Sequence, residues 1–247
     1  MLYQIEDSPL KIMGTMHVFP DGNASLPDWV EHGYRDAEVV WSEHDWQEAR
    51  KYDLLPPDQS LKQLLPKKAW DNLLLLFPGR EQEISRWRPA HASGNFVGAF
   101  MGPQTDGVER QIQPRETNKG RQLQWLESAA EVARLFDTAP ARCWAETMLN
   151  IKAAHEEGAQ FFSRMYERWK NCDRDGLATI RYPGGRREQP ELRRVQLEVR
   201  NAEWTEKIAM MRPAAPTLIM VGALHLAGKN NLIALLAKRG VKLKRLA

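Results

Sequence analysis

Thr217–Leu226 reads TLIMVGALHL: an apolar, strand-forming run that stops at Gly222 and delivers His225 three residues later. Leu10–Val18, LKIMGTMHV, repeats that grammar near the other end of the chain, with Gly14 followed by His17. A short apolar run bounded in this way reads as a buried strand. The glycine suits a corner where the backbone needs positive φ or a close approach. Each histidine then leaves the carboxyl end of a strand, the edge at which open α/β sheets hold their ligands. One Gly-x-x-His is more often an ordinary hydrogen-bonded histidine. Two of them, behind matching strands in a chain with six histidines, point to a shared site.

The residues between these corners supply further strand ends. Ala37–Glu43, AEVVWSE, reads as a strand with Val39, Trp41 and Glu43 on one face. On spacing alone Glu43 would be exposed at the strand end. Leu123–Leu126, preceded by Gln122, is a short strand followed at once by Glu127 and then by Ser128-Ala129-Ala130-Glu131, a capping box that opens a helix through about Phe136. The box occupies Ser128 and Glu131 and leaves Glu127 at the corner. A helix is expected over Leu26–Gly33, entered by Ser25. Residues 47–103 show no strand alternation. They hold helix-like pieces at 60–65, 67–77, 80–87 and 91–101, punctuated by prolines, and are expected to form a helical insertion capping part of the sheet. His91 has no evident partner there.

From Thr138 to about Lys170 one long helix is expected, with Trp144, Met148, Ile151, His155, Gly158, Phe162, Met165 and Trp169 forming a packing stripe that makes His155 a core residue. A second long helix is expected from Pro190 to about Met211. On its apolar face Leu197, Arg200, Trp204 and Ile208 recur at spacings of three and four, so Arg200 projects where its neighbours bury apolar groups. A guanidinium so directed calls for a carboxylate, and Glu43 and Glu127 are the candidates. A helix over Asn230–Arg239, a stop at Gly240 and a strand over Val241–Leu246 complete the chain.

With 247 residues, 43% hydrophobic and 27% charged, the chain is expected to be one globular domain over 1–247. No apolar run approaches the roughly 18 residues of a membrane span. The start, MLYQIEDSPL, lacks the form of a signal peptide, so the sequence as it stands suggests a cytoplasmic protein. Cys143 and Cys172 have no neighbouring thiols, which excludes a cysteine metal site or a CxxC pair and makes both structural. A net charge of +3, with arginines gathered only in 181–194 and a basic tail at 242–245, gives little support for nucleic-acid binding.

The ordered set of these segments resembles the TraB/GumN family, which is related to the Tiki metalloproteases and more distantly to erythromycin esterase and ChaN-like proteins. The resemblance runs through Gly14-Thr15-Met16-His17, DAEVVWSEHD around Glu43, LES around Glu127, Trp169–Asp173, RNAEW from Arg200, and VGALHLAGKNNLIALLAKRG. It implies an α/β fold: a central mixed sheet flanked by helices, with the site at one edge and the helical insertion in the first half. It further implies a divalent-metal-dependent hydrolase, peptidase-like, acting on a peptide or small-molecule substrate. In that reading His17 and His225 are metal ligands, or one ligand and one base, and Glu43 is a ligand with them. Glu43, Glu127 and Arg200 are catalytic, a glutamate taking the proton of water and Arg200 steadying a carboxylate or oxyanion. Imidazoles with carboxylates suit zinc, manganese or cobalt. Two other readings share the scaffold: a metal-free esterase-like hydrolase in which a histidine activates water, and a non-catalytic ligand-binding or regulatory protein.

Overall fold

The computed structural model of the chain describes residues 1–22, 25–121, 123–185 and 189–247. Its strands are β1 (Leu2–Ile5), β2 (Leu10–Thr15), β3 (Val18–Pro20), β4 (Val39–Ser42), β5 (Gln104–Asp106), β6 (Gln124–Trp125), β7 (Thr217–Gly222) and β8 (Leu243–Arg245). Six of them form a mixed sheet in the order β6-β4-β7-β2-β1-β8, and β3 pairs with β5 in a separate two-stranded ribbon. Within the large sheet β6, β4, β7 and β2 run parallel, and β1 returns antiparallel between β2 and β8. The fold is therefore α/β, as the alternation of strands and helices predicts.

The two Gly-x-x-His strands are immediate neighbours, in register from Leu10 opposite Thr217 to Thr15 opposite Gly222. Both faces of this central pair are covered: Leu10, Ile12, Met13, Leu218, Ile219, Met220 and Val221 are all buried. Their continuous apolar runs suit parallel strands with helices on both sides. The principal core gathers these strands with Phe19, Phe162, Tyr166, Trp169, Trp204 and Ile208.

The helical insertion is observed as Leu61–Leu64, Lys67–Leu76, Glu81–Ile84 and Pro89–Ala99. Leu61, Trp70, Leu73, Ile84 and Phe96 form an apolar cluster of their own, which is completed by Ala145, Met148 and Ala154 from later helices and contains no strand residue. His91 does have a partner, Asp53, with Nδ1 3.2 Å from its carboxylate.

The long helix expected from Thr138 is broken. Ala141–Ala145 and a 3₁₀ turn over Glu146–Met148 precede Ile151–Lys170, whose first turn is capped by the Asn150 side chain accepting from Ala153 N. A polar cap that satisfies free N–H groups starts a new helix where periodicity alone continues the old one. His155 is exposed, its ring edge-on to Phe100 at 6.2 Å, and is not a core residue. The first helix covers Asp28–Arg35 without a side-chain cap from Ser25. The second long helix contains a π turn at Arg194–Glu198 between Pro190–Arg193 and Val199–Met210. Of the arginine run expected as a solvated face, residues 186–188 lie outside the described residues, as does Gln122 beside β6. Among the described residues no helix is long and apolar enough to cross a membrane.

Candidate active site

Because β6, β4, β7 and β2 are parallel, their carboxyl ends share one sheet edge. Across that edge lie Glu127 after β6, Glu43 after β4, His225 beyond β7 and His17 beyond β2. The backbone holds the two acids side by side, since Leu126 N donates to Ser42 O at 2.9 Å and Glu127 N to Glu43 O at 3.0 Å. Helix Val199–Met210 supplies Arg200 from one side. The π turn just before it places an extra residue ahead of Arg200, a local irregularity frequent at functional sites.

Arg200 bridges both acids. Its Nε donates to Glu127 Oε1 at 2.8 Å and its Nη2 to Glu43 Oε2 at 2.5 Å, with a further bond from Nη2 to Glu127 Oε1. The guanidinium rests on the Trp204 ring, 4.6 Å from its centroid. All three charged groups are buried, Glu43 at only 5% exposure, so the surface position expected for this strand-end acid is overturned by its partner. Burial pushes the Glu43 carboxyl up. Arg200, then His225 and His17, outweigh that and hold it well below the usual carboxylate range.

His225 sits in a 3₁₀ turn over Ala223–Leu226, with its ring 4.5 Å from Trp204. Its Nδ1 lies 2.7 Å from Asn201 Oδ1, and that side chain's Nδ2 donates to the carbonyls of His225 and Asn230. The amide oxygen accepts, so Nδ1 carries the proton and Nε2 turns its lone pair toward Arg200 Nη1 at 3.3 Å, beside Glu43 Oε1 at 3.6 Å. Burial lowers the imidazole to about 3, so His225 is neutral at physiological pH.

His17 is held differently. Its Nδ1 is 3.1 Å from Oε1 of Glu109, a buried carboxylate that also accepts from the Thr15 hydroxyl. Glu109 raises the imidazole to about 9, with help from Glu43 and against burial and Arg200. Protein atoms crowd the ring, yet 61% of the side-chain surface opens to the cleft. The shift therefore describes the charge His17 carries and is not a store of stability. Glu109 comes from helix Val108–Asn118, whose start is tied to the histidine corner by Gly107 N to His17 O at 3.2 Å and Val108 N to Met16 O at 3.0 Å. A Cβ on Gly107 would meet Met16 O at 2.1 Å, so only glycine allows this junction.

The glycines of the two histidine corners have a spatial purpose. Neither adopts positive φ. A Cβ on Gly222 would stand 3.2 Å from Glu43 Oε1, 3.3 Å from His17 Nε2 and 3.7 Å from His225 Cδ2, so the bare Cα lets both rings and the carboxylate converge. Gly222 N also donates to Glu43 Oε1 at 2.6 Å. Under Gly14, Trp169 donates from Nε1 to the glycine carbonyl at 2.8 Å.

Three residues of this site carry no functional signal in the sequence reading: Glu109, Asn201 and His44. Glu109 looks like an ordinary acid in a first helical turn, and only its proximity to Gly107 hints at a close approach. His44 follows Glu43 directly, at the same strand end. Its Nδ1 lies 3.7 Å from Glu127 Oε1 and is buried without a hydrogen-bond partner among the described residues. Glu43, His44 and Glu127 each present a ligand atom within 4.8 Å of the others, and this group could hold a metal ion. Among the described residues it is the group that meets this spacing. The cleft above these residues has a volume of about 240 Å³ and is lined by His17, Glu43, Arg200, Gly222 and His225.

A family model described as the TraB/PrgY/gumN family matches residues 1–245. The chain belongs to this family. The match takes in both histidine corners, both strand-end acids and Arg200, so every residue on this sheet edge lies inside the TraB/PrgY/gumN region. Neither a curated protein nor a solved structure matches the chain.

Proposed function

We propose that this TraB/PrgY/gumN protein is a hydrolase, peptidase-like in the bond it cleaves, and that the whole chain works as one domain. The observation that carries the reading is the convergence of two histidines with two arginine-bridged carboxylates at one sheet edge. Hydrolysis needs a group to accept a proton from water, a donor for the leaving group, and positive charge near the developing oxyanion. Neutral His225, its proton fixed on Nδ1 by Asn201, can take a proton at Nε2 once water displaces the Arg200 Nη1 hydrogen bond there. Protonated His17, oriented by Glu109, is a donor at the cleft mouth. Arg200 holds Glu43 ionised, donates to Glu127 as well, and brings positive charge to the cleft.

A divalent cation fits this donor set. His44 Nδ1 is orphaned, and Glu43 and Glu127 face it with one guanidinium between two carboxylates, which leaves a negative excess. Glu43, His44 and Glu127 would hold the ion; His17, His225 and Glu43 are the alternative set, with Glu43 common to both. When bound, zinc, manganese or cobalt would supply Lewis acidity and lower the pKa of a coordinated water. Metal-stripped protein should bind one of these ions in calorimetry. His44→Ala should weaken that binding about 10-fold or more, whereas His225→Ala should do so if the alternative set is used. Peptides and esters should be hydrolysed only by the loaded protein.

The metal-free reading is favoured by a separate observation: Arg200 donates to both Glu43 and Glu127 at hydrogen-bond distance, and His225 Nε2 is unprotonated beside it. Hydrolysis that persists in EDTA, with no bound metal by elemental analysis, would establish that reading. A failure of a broad peptide and ester library in both states would reject the hydrolase.

A further inference from the structure

The histidine cleft does not end at His225. A chamber of about 470 Å³ opens beside it between the helical insertion and the helices around Ala129–Asp137. Phe136, Tyr182, Gln196 and Leu224 line both spaces, so cleft and chamber share one wall. His44 faces the chamber as well, next to Glu127. The volume falls within the range of small-molecule pockets, roughly 300 to 1,000 Å³.

Much of the chamber wall is apolar: Val132, Ala133 and Phe136 from helix Ala129–Asp137 line it with Val97, Trp144 and Leu192. Four of its ionic groups are engaged in pairs, and Glu146 and His44 line it as well. Arg88 pairs with Asp137 and donates from Nε to Leu54 O at 3.1 Å, and His91 pairs with Asp53. Such a wall offers no open charge to a ligand from these pairs, and it rewards displacement of water by apolar surface.

We infer that the chamber is the specificity subsite of the same centre, and that it takes a bulky, uncharged apolar group, aromatic or branched aliphatic, carried by a substrate whose polar reacting group lies over His17 and His225. This rests on the hydrolase reading for the reacting end; the bound apolar group rests on the chamber alone. Gly94 provides the means to test it. The residue lines the chamber from the insertion helix, and a Cβ placed there meets nothing within 4 Å. It lies inside helix Pro89–Ala99, where any ordinary residue is a better helix former than glycine, so a large side chain can be grown into the space without threatening the fold.

The experiment is fluorescence titration with the neutral probe N-phenyl-1-naphthylamine, alongside hydrolysis of paired phenylacetyl and acetyl p-nitrophenyl esters. Wild-type protein should bind the probe saturably at one site. Gly94→Phe and, from helix Ala129–Asp137, Ala133→Trp should each weaken binding by about tenfold or more while circular dichroism stays native; Gly94→Ala should change it little. His225→Ala should keep probe binding. The phenylacetyl ester should be preferred in kcat/KM about tenfold or more, and Gly94→Phe should drive that preference toward unity. Probe binding that is unsaturable, or untouched by both filling variants, overturns the inference. Equal turnover of the two esters overturns it while leaving the hydrolase standing. Chamber binding without hydrolysis of any ester or peptide supports the apolar site and removes the hydrolase reading.

Discussion

Arg200 makes the site's electrostatics self-consistent: two buried carboxylates are tolerable because one planar guanidinium donates to both. A buried charge left without its partner is costly, so Arg200→Leu should destabilise by about 3 to 5 kcal/mol in denaturant unfolding. Arg200→Lys keeps the charge and loses the fork. It should retain the fold and lose activity, and an Arg200→Lys variant with wild-type hydrolysis would show that the fork is dispensable. His225 gives a prediction with a definite sign. Its folded value, about 3, lies below the 6.5 of the free side chain, so the unfolded state binds more protons between those limits. The stability it contributes is present above pH 6.5 and is lost as pH falls toward 3, by about 1.4 kcal/mol per unit. Glu43, also held low, adds to the loss only below its own ordinary value of 4.5. The melting temperature of metal-stripped protein should fall on going from pH 7 to pH 5, and His225→Gln should flatten that slope.

At the scale of elements, helix Val108–Asn118 acts as a strut for the histidine corner of β2. Its backbone is bonded to Met16 and His17, and its first turn delivers Glu109 to the His17 ring. In Glu109→Gln the carboxylate that raises His17 is gone, so the imidazole should titrate down from about 9 toward its ordinary 6.5, as followed by NMR. An unchanged titration would assign the shift to Glu43 instead. Helix Ala129–Asp137 carries one wall of the chamber and is secured by the reciprocal Ser128 and Glu131 bonds of its capping box. Ser128→Ala should cost about 1 kcal/mol in thermal or denaturant unfolding, with the chamber's probe affinity preserved.

At the scale of the whole molecule, the site is assembled from segments far apart in the chain. β2 and β7 pair from Leu10 with Thr217 onward, and Trp169 closes on Gly14 from the far side. Such long-range pairing forms only when most of the chain is ordered, because the entropy of closing the intervening loops must be met first. The NMR signals of His17 and His225 should therefore vanish in the same denaturant transition as the far-UV ellipticity. Loss of the histidine signals well before the helices would mean that the sheet edge opens on its own.

Much of this arrangement is legible in the sequence because it depends on local patterning. Apolar runs ending in Gly-x-x-His determine buried strands with histidines at their carboxyl ends. The Ser128 box determines a helix start and leaves Glu127 at a corner, and the 3–4 spacing around Arg200 determines that a guanidinium faces the core. What the sequence leaves open is decided by distance and by alternatives of similar local energy. Whether periodicity continues or breaks at Asn150 depends on one capping bond, and His155 falls on the exposed side of the resulting helix. Strand-end Glu43 is buried only because Arg200 arrives from 157 positions away. Glu109 and His44 acquire their place only when the strands line up, since no local spacing links Glu109 to His17 or His44 to Glu127. Even the reason for Gly222 is tertiary: its φ is not positive, and the glycine leaves room for a carboxylate and two imidazoles that the sheet brings within 3.2 to 3.7 Å of where a Cβ would stand.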